Sequence, residues 1–108
     1  MRVAELQTFV VGNPPPSYGG RYFVLLTLTT DDGVKGVGEV YAASLHPSVV
    51  EKAIVDVFER HLQGADPFRI ETLARIVSAR GYSGRPDLTL MGVLSGLELA
   101  CWDIVGKA

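Results

Sequence analysis

Residues 2–11 alternate. Val3, Glu5, Gln7 and Phe9 fall on one side, and Ala4, Leu6, Thr8 and Val10 on the other, the period of a strand with one apolar face. Asn13-Pro14-Pro15-Pro16-Ser17-Tyr18-Gly19-Gly20 then interrupts the pattern, because prolines fix φ and withdraw backbone donors. Alternation resumes over residues 21–31, with Tyr22, Val24, Leu26 and Leu28 as the apolar face. Asp31-Asp32-Gly33 supplies a hairpin turn into a third strand, residues 34–41. In that strand Gly36 and Gly38 mark a place where a neighbour comes close. The pattern predicts an antiparallel hairpin with the first strand alongside.

The period then changes to that of helices. Pro47 suits a first turn, and Ser48-Val49-Val50-Glu51 has the spacing of a capping box. Val50, Ala53, Ile54, Val57 and Phe58 recur on one helical face, and Gly64 stops the run. Asp66-Pro67 predicts the start of a second helix with the stripe Ile70, Leu73, Ala74 and Val77, ending at Gly81. A third helix is predicted from about Thr89 to the end. The fold class is therefore α+β, a three-stranded antiparallel sheet followed by three helices, in one domain spanning residues 1–108.

The third helix is apolar around nearly its whole circumference; over residues 88–105 only Glu98 and Asp103 are charged. Such a helix needs cover on all sides. A membrane span is disfavoured, since each acid costs about 2.5–3.5 kcal/mol near the bilayer centre. The expected cover is a second domain or another subunit.

Composition narrows the function classes. The chain of 108 residues is 47% hydrophobic with net charge −2, which suits a globular domain and lacks the basic face that nucleic acid requires. Cys101, the single cysteine, cannot form an internal disulfide. With no hydrophobic leader at the N-terminus, a cytoplasmic location is expected.

Three segments carry a resemblance. Ser95-Gly96-Leu97-Glu98-Leu99-Ala100-Cys101-Trp102-Asp103-Ile104-Val105-Gly106-Lys107-Ala108 resembles the helix joining the two domains of the enolase superfamily, in its mandelate racemase/muconate-lactonising group. Thr30-Asp31-Asp32-Gly33-Val34-Lys35-Gly36-Val37-Gly38-Glu39 resembles the hairpin and Gly-x-Gly-Glu strand of that group, and Gly64-Ala65-Asp66-Pro67 its helix boundary. Cys101 departs from the leucine usual there.

The resemblance implies an N-terminal capping domain that closes over a β/α barrel absent from these residues. The barrel would bind Mg²⁺ and carry the bases that remove a proton α to a substrate carboxylate, the metal stabilising the enediolate. No catalytic or metal-binding residue is therefore assigned in this chain. The expected partners are a small-molecule carboxylate substrate, the barrel itself and further copies in a homo-oligomer, with neither nucleic acid nor membrane. The cap's part would be two loops, residues 13–21 and 41–46, that select substrate. They offer Tyr18 and Arg21, then Tyr41, Ser44 and His46: a carboxylate clamp and hydroxyl-binding groups. That mix suits a polyhydroxy acid, and within the group the Thr29-Thr30-Asp31-Asp32-Gly33-Val34 turn and the helix boundaries most resemble those of sugar-acid dehydratases. A racemase, epimerase or cycloisomerase of the same superfamily is the alternative, and a stand-alone α+β interaction module a second.

Other residues have structural readings. Gly36-Val37-Gly38 lacks the third glycine of a dinucleotide fingerprint. Asp31 and Asp32 form the turn, His61 complements a helix C-terminus, and Glu39 serves the domain joint. Asp103 and Lys107 stand at i, i+4, an ordinary helix pair, but with Glu98 are expected to serve an interdomain contact. Trp102 belongs to a core or interface, and Cys101 lacks the neighbours of a nucleophile.

Overall fold

Strands β1 (Val3–Val11), β2 (Phe23–Thr30) and β3 (Lys35–Val40) form one antiparallel sheet in the order β1-β2-β3 in a computed structural model. It describes residues 1–12, 22–41, 45–79 and 88–108. Helices α1 (Pro47–Val57), α2 (Ile70–Ala79) and α3 (Leu88–Lys107) follow. Val24, Leu26 and Leu28 of β2 are wholly buried on the helix side of the sheet. They meet Ile54 of α1 and Leu97, Ala100 and Ile104 of α3 in one core.

Two predicted faces shift. The register of β1 on β2 slips between Val3 and Glu5, a bulge that gives one extra residue to β1. Val3 is buried while Glu5, two residues on, is exposed, so a strict alternation fails at this point. Tyr22, expected on the inner face, precedes β2 and is exposed; its ring lies against Gly12.

The hairpin turn forms as predicted. Gly33 N–H donates to the Thr30 carbonyl at 3.0 Å, and Gly33 takes φ +90°, a conformation glycine adopts without steric cost. Helix boundaries differ more. His46, not Ser48, is the N-cap of α1: its Nδ1 accepts the Ser48 N–H, and Pro47 occupies the first turn. The helix does not run evenly to Gly64. It passes into a single π turn, Phe58–Leu62, which buries Phe58 and Leu62, and Gly64 then takes φ +82°. Asp66 accepts the Phe68 N–H at 2.9 Å and stabilises a turn rather than a helix start, so α2 begins at Ile70. Gly81, expected to end α2, lies outside the described residues.

Both sheet edges are covered in part. At β1, Val3 N–H donates to the Ala65 carbonyl and Gly64 N–H to the Val3 carbonyl. Thr8 Oγ1 donates to Glu51 Oε2 at 2.6 Å, tying β1 to α1. At β3 the cover is α3. A Cβ on Gly38 would overlap the Gly96 carbonyl oxygen, and one on Gly36 the Ala100 carbonyl oxygen. Glycines in the strand and small residues four apart in the helix let the two backbones touch. By length and composition α3, with mean hydropathy 1.5, is the one helix among the described residues that passes for a membrane span. Its Val93, Leu94, Leu97, Ala100, Cys101 and Ile104 are instead buried in the domain core.

Candidate functional site

The sheet has two ends with different chemistry. Val11 pairs with Phe23 and Val24 with Val40, so β1 ends, β2 begins and β3 ends at the same place. Both connections singled out in the sequence leave from this end. Helix α3 runs antiparallel to β3: Gly92 lies beside Tyr41, Gly96 beside Gly38, Ala100 beside Gly36, and Lys107 beside Lys35. The last turn of α3 is therefore at the opposite, hairpin end.

Of the five predicted substrate-binding residues, two are described. Tyr41 follows β3 directly and is 80% exposed, its side chain free to meet a ligand. His46 opens α1. Its Nδ1 accepts the Ser48 N–H at 3.2 Å and lies 2.8 Å from Ser48 Oγ. The cap thus occupies one ring nitrogen and leaves Nε2, a donor in the neutral ring, for any outside partner. Tyr18, Arg21 and Ser44 lie outside the described residues. Sequence reasoning missed Tyr22, which stands exposed at the same end; its place beside a Gly-Gly pair and Arg21 was the available signal.

Of the acids of α3, Asp103 forms the expected i, i+4 pair with Lys107. Asp103 finds its partners inside the domain: Oδ2 accepts the Val37 N–H at 2.9 Å and the Lys107 ammonium at 3.0 Å. Lys107 Nζ also donates to the Lys35 carbonyl at 2.8 Å. The Val37 N–H, and secondarily Lys107, hold the Asp103 carboxyl below the usual aspartate range. Glu98 lines a small apolar cavity with Leu62, Ile70, Leu73, Leu94 and Cys101. Burial, helped by the Glu98 charge, pushes the Cys101 thiol up to about 11, which removes it as a nucleophile at neutral pH. No group of three or more His, Cys, Asp or Glu able to hold a metal ion occurs among the described residues.

On its outer face α3 leaves Leu99 and Trp102 half-exposed. Trp102 and Val105 border a groove with Phe68 and the first turn of α2.

A small antiparallel sheet, backed on one side by α1 and α3 with α2 packed against α3, makes a capping-type α+β domain. The chain belongs to the mandelate racemase/muconate lactonizing enzyme family: residues 14–108 match the model of that family's N-terminal domain. It is 32% identical over its whole length to a D-galactonate dehydratase of Verminephrobacter eiseniae, 25% of which it covers. A mandelate racemase/muconate lactonizing enzyme structure from Labrenzia alexandrii superposes with TM-score 0.90 at 54% identity, over 99% of this chain and 27% of that one. The 3,6-anhydro-D-galactonate cycloisomerase of Zobellia galactanivorans superposes with TM-score 0.82 at 25% identity, over 99% of this chain and 29% of that one. The chain spans about a quarter of the length of the curated relatives it matches. Its relatives are enzymes.

Proposed function

We propose that residues 1–108 are the substrate-capping and specificity domain of a sugar-acid dehydratase, whose remaining domain removes the proton α to the carboxylate and stabilises the enediolate. Loss of the β-hydroxyl as water then gives an enol that becomes a 2-keto acid. Mg²⁺ is assigned to that remaining domain. The residues described here do not fit a metal site, and no step in this chain runs through one.

One observation carries the reading: β1 ends, β2 begins and β3 ends at a single end of the sheet, where Tyr22 and Tyr41 stand exposed. Loops held by a rigid sheet are suited to sealing a pocket and choosing its ligand. The last turn of α3 is at the other end. A following domain reaching these loops must lie along the flank of this one, and the half-exposed Leu99 and Trp102 are the apolar surface it would cover.

The test is an assay of the full-length natural protein with Mg²⁺ against a panel of aldonic and aldaric acids, following 2-keto acid formation. The reading expects a 2-keto product from the full-length protein and none from residues 1–108 alone. The likeness to a cycloisomerase supports a second reading: product of unchanged mass, from isomerisation, racemisation or epimerisation, would replace dehydration with that chemistry. A 108-residue chain that is a stable dimer, with a full-length protein inert towards every acid, would favour an interaction module.

A further inference from the structure

The pairing of β1 with β2 ends at Val11 and Phe23, and the next residues out are Gly12 and Tyr22. The Tyr22 ring lies on Gly12: a Cβ added there would stand 2.9 Å from both Cδ1 and Cε1. That is closer than carbon atoms approach in contact, so any side chain at position 12 would push the ring aside. Gly12 does not take a positive φ, so the position uses the missing side chain and not glycine's backbone freedom. Tyr22 is nevertheless 60% exposed, and among the described residues its hydroxyl has no hydrogen-bond partner. Core packing does not account for a ring seated on one side and open on the rest. A tyrosine joins a large apolar body to a polar tip; here the body is held and the tip is unpaired.

We infer that Tyr22 is a specificity-determining residue whose hydroxyl binds a hydroxyl of the acid at the end remote from the carboxylate, and that Gly12 is the positioning residue that aims it. The inference rests on the capping role proposed above. In that reading the remaining domain acts at the carboxylate and the α-carbon, which leaves the far end of the carbon chain to this one. A phenol both donates and accepts, so it can meet a sugar hydroxyl, which does the same, in either sense. A freely turning ring loses entropy each time it is ordered by a ligand; a ring already seated on Gly12 loses less. Its fixed direction is what lets it tell a chain with a hydroxyl at that point from one without, since a polar group left unpaired in a closed pocket costs more than a made bond contributes. Gly12 touches no ligand in this account and acts only through the Tyr22 ring.

The test is steady-state kinetics of the full-length natural protein on its preferred sugar acid and on analogues of that acid that each lack one hydroxyl near the remote end. The parent is expected to favour the intact acid over one such analogue by about tenfold or more in kcat/KM. Tyr22→Phe should bring that ratio to within about threefold of unity, by slowing the intact acid far more than the analogue. Gly12→Ala should lower the same ratio although it removes no group. In the Tyr22→Phe background Gly12→Ala should change the ratio no further, because no hydroxyl is left to aim. Both positions lie outside the strands, and thermal melts of all three variants are expected to match the parent. Equal losses on the intact acid and every analogue, a ratio unmoved by Tyr22→Phe, or additive effects on the ratio in the double variant would overturn the inference and leave the capping role standing. A full-length protein inert towards every acid would overturn both.

Discussion

Asp103 of α3 accepts the backbone N–H of Val37 in β3 at 2.9 Å, across 66 positions of sequence, and so closes an open hydrogen-bonding position on the edge strand. Lys107, one turn on, closes the Lys35 carbonyl beside it. An unpaired edge invites another strand to add to it. Here one charged pair on the helix blocks it and fixes the direction in which α3 leaves the sheet.

This clamp predicts an order among variants. Asp103→Ala should lower the melting temperature more than Asp103→Asn, because the amide oxygen still accepts the Val37 N–H. The folded-state pKa of Asp103 lies below its unfolded value, so its contribution is fully present above about pH 3.9 and fades as pH falls through the folded value. The gap between the parent and Asp103→Ala in thermal melts should therefore be constant from pH 7 to about 5 and shrink only in the acid range.

Backbone contact between β3 and α3 makes a harsher prediction. Gly38→Ala has no room beside the Gly96 carbonyl and should cost on the order of 3 kcal/mol or more in urea unfolding. Gly106→Ala, with nothing within 4 Å of the new methyl, should be neutral or gain up to about 1 kcal/mol from helix propensity. Equal effects would show that the close approach does not constrain the fold.

Thr27, in the middle of β2, has a buried hydroxyl with no hydrogen-bond partner among the described residues. Replacement by valine removes that unmet need at almost the same volume and keeps β-branching. Thr27→Val should raise stability by about 1 kcal/mol, read as a higher urea midpoint at unchanged slope.

Cys101 should be silent towards thiol reagents in the folded chain. With its thiol at about 11, about one molecule in a thousand is thiolate at pH 8, and that one is shielded by burial. A maleimide should label it only after denaturant is added; rapid labelling in buffer would place α3 in a looser core.

Much of the fold was legible because burial imposes period. Val24, Leu26 and Leu28 alternate, and Val50, Ile54 and Val57 recur at helical spacing, since each set faces one core. The bulge after Val3 was not legible: one inserted residue changes which side chain faces inward without changing composition. Ser48 and Asp66 carried capping chemistry, yet His46 supplied the α1 cap and Asp66 a turn, because several nearby side chains compete for the same few donors. The bond from the Val37 N–H to Asp103 was not legible, because backbone groups leave no mark in a sequence. Of the candidate site, Tyr41 stands exposed just after β3 and His46 opens α1 as its cap, a role that its place before Pro47 did not announce.

The capping role is tested most directly by kinetics of the full-length natural protein carrying His46→Asn or Tyr41→Ala. Asparagine keeps an N-cap acceptor for Ser48 while removing the imidazole Nε2, so folding is preserved and the outward-facing group is lost. Both changes should lower kcat/KM for the preferred acid by about tenfold or more and alter the ranking among acids, with melting temperature within a few degrees of the parent. Unchanged kcat/KM and unchanged ranking for both variants would contradict the assignment of this domain as the one that selects substrate.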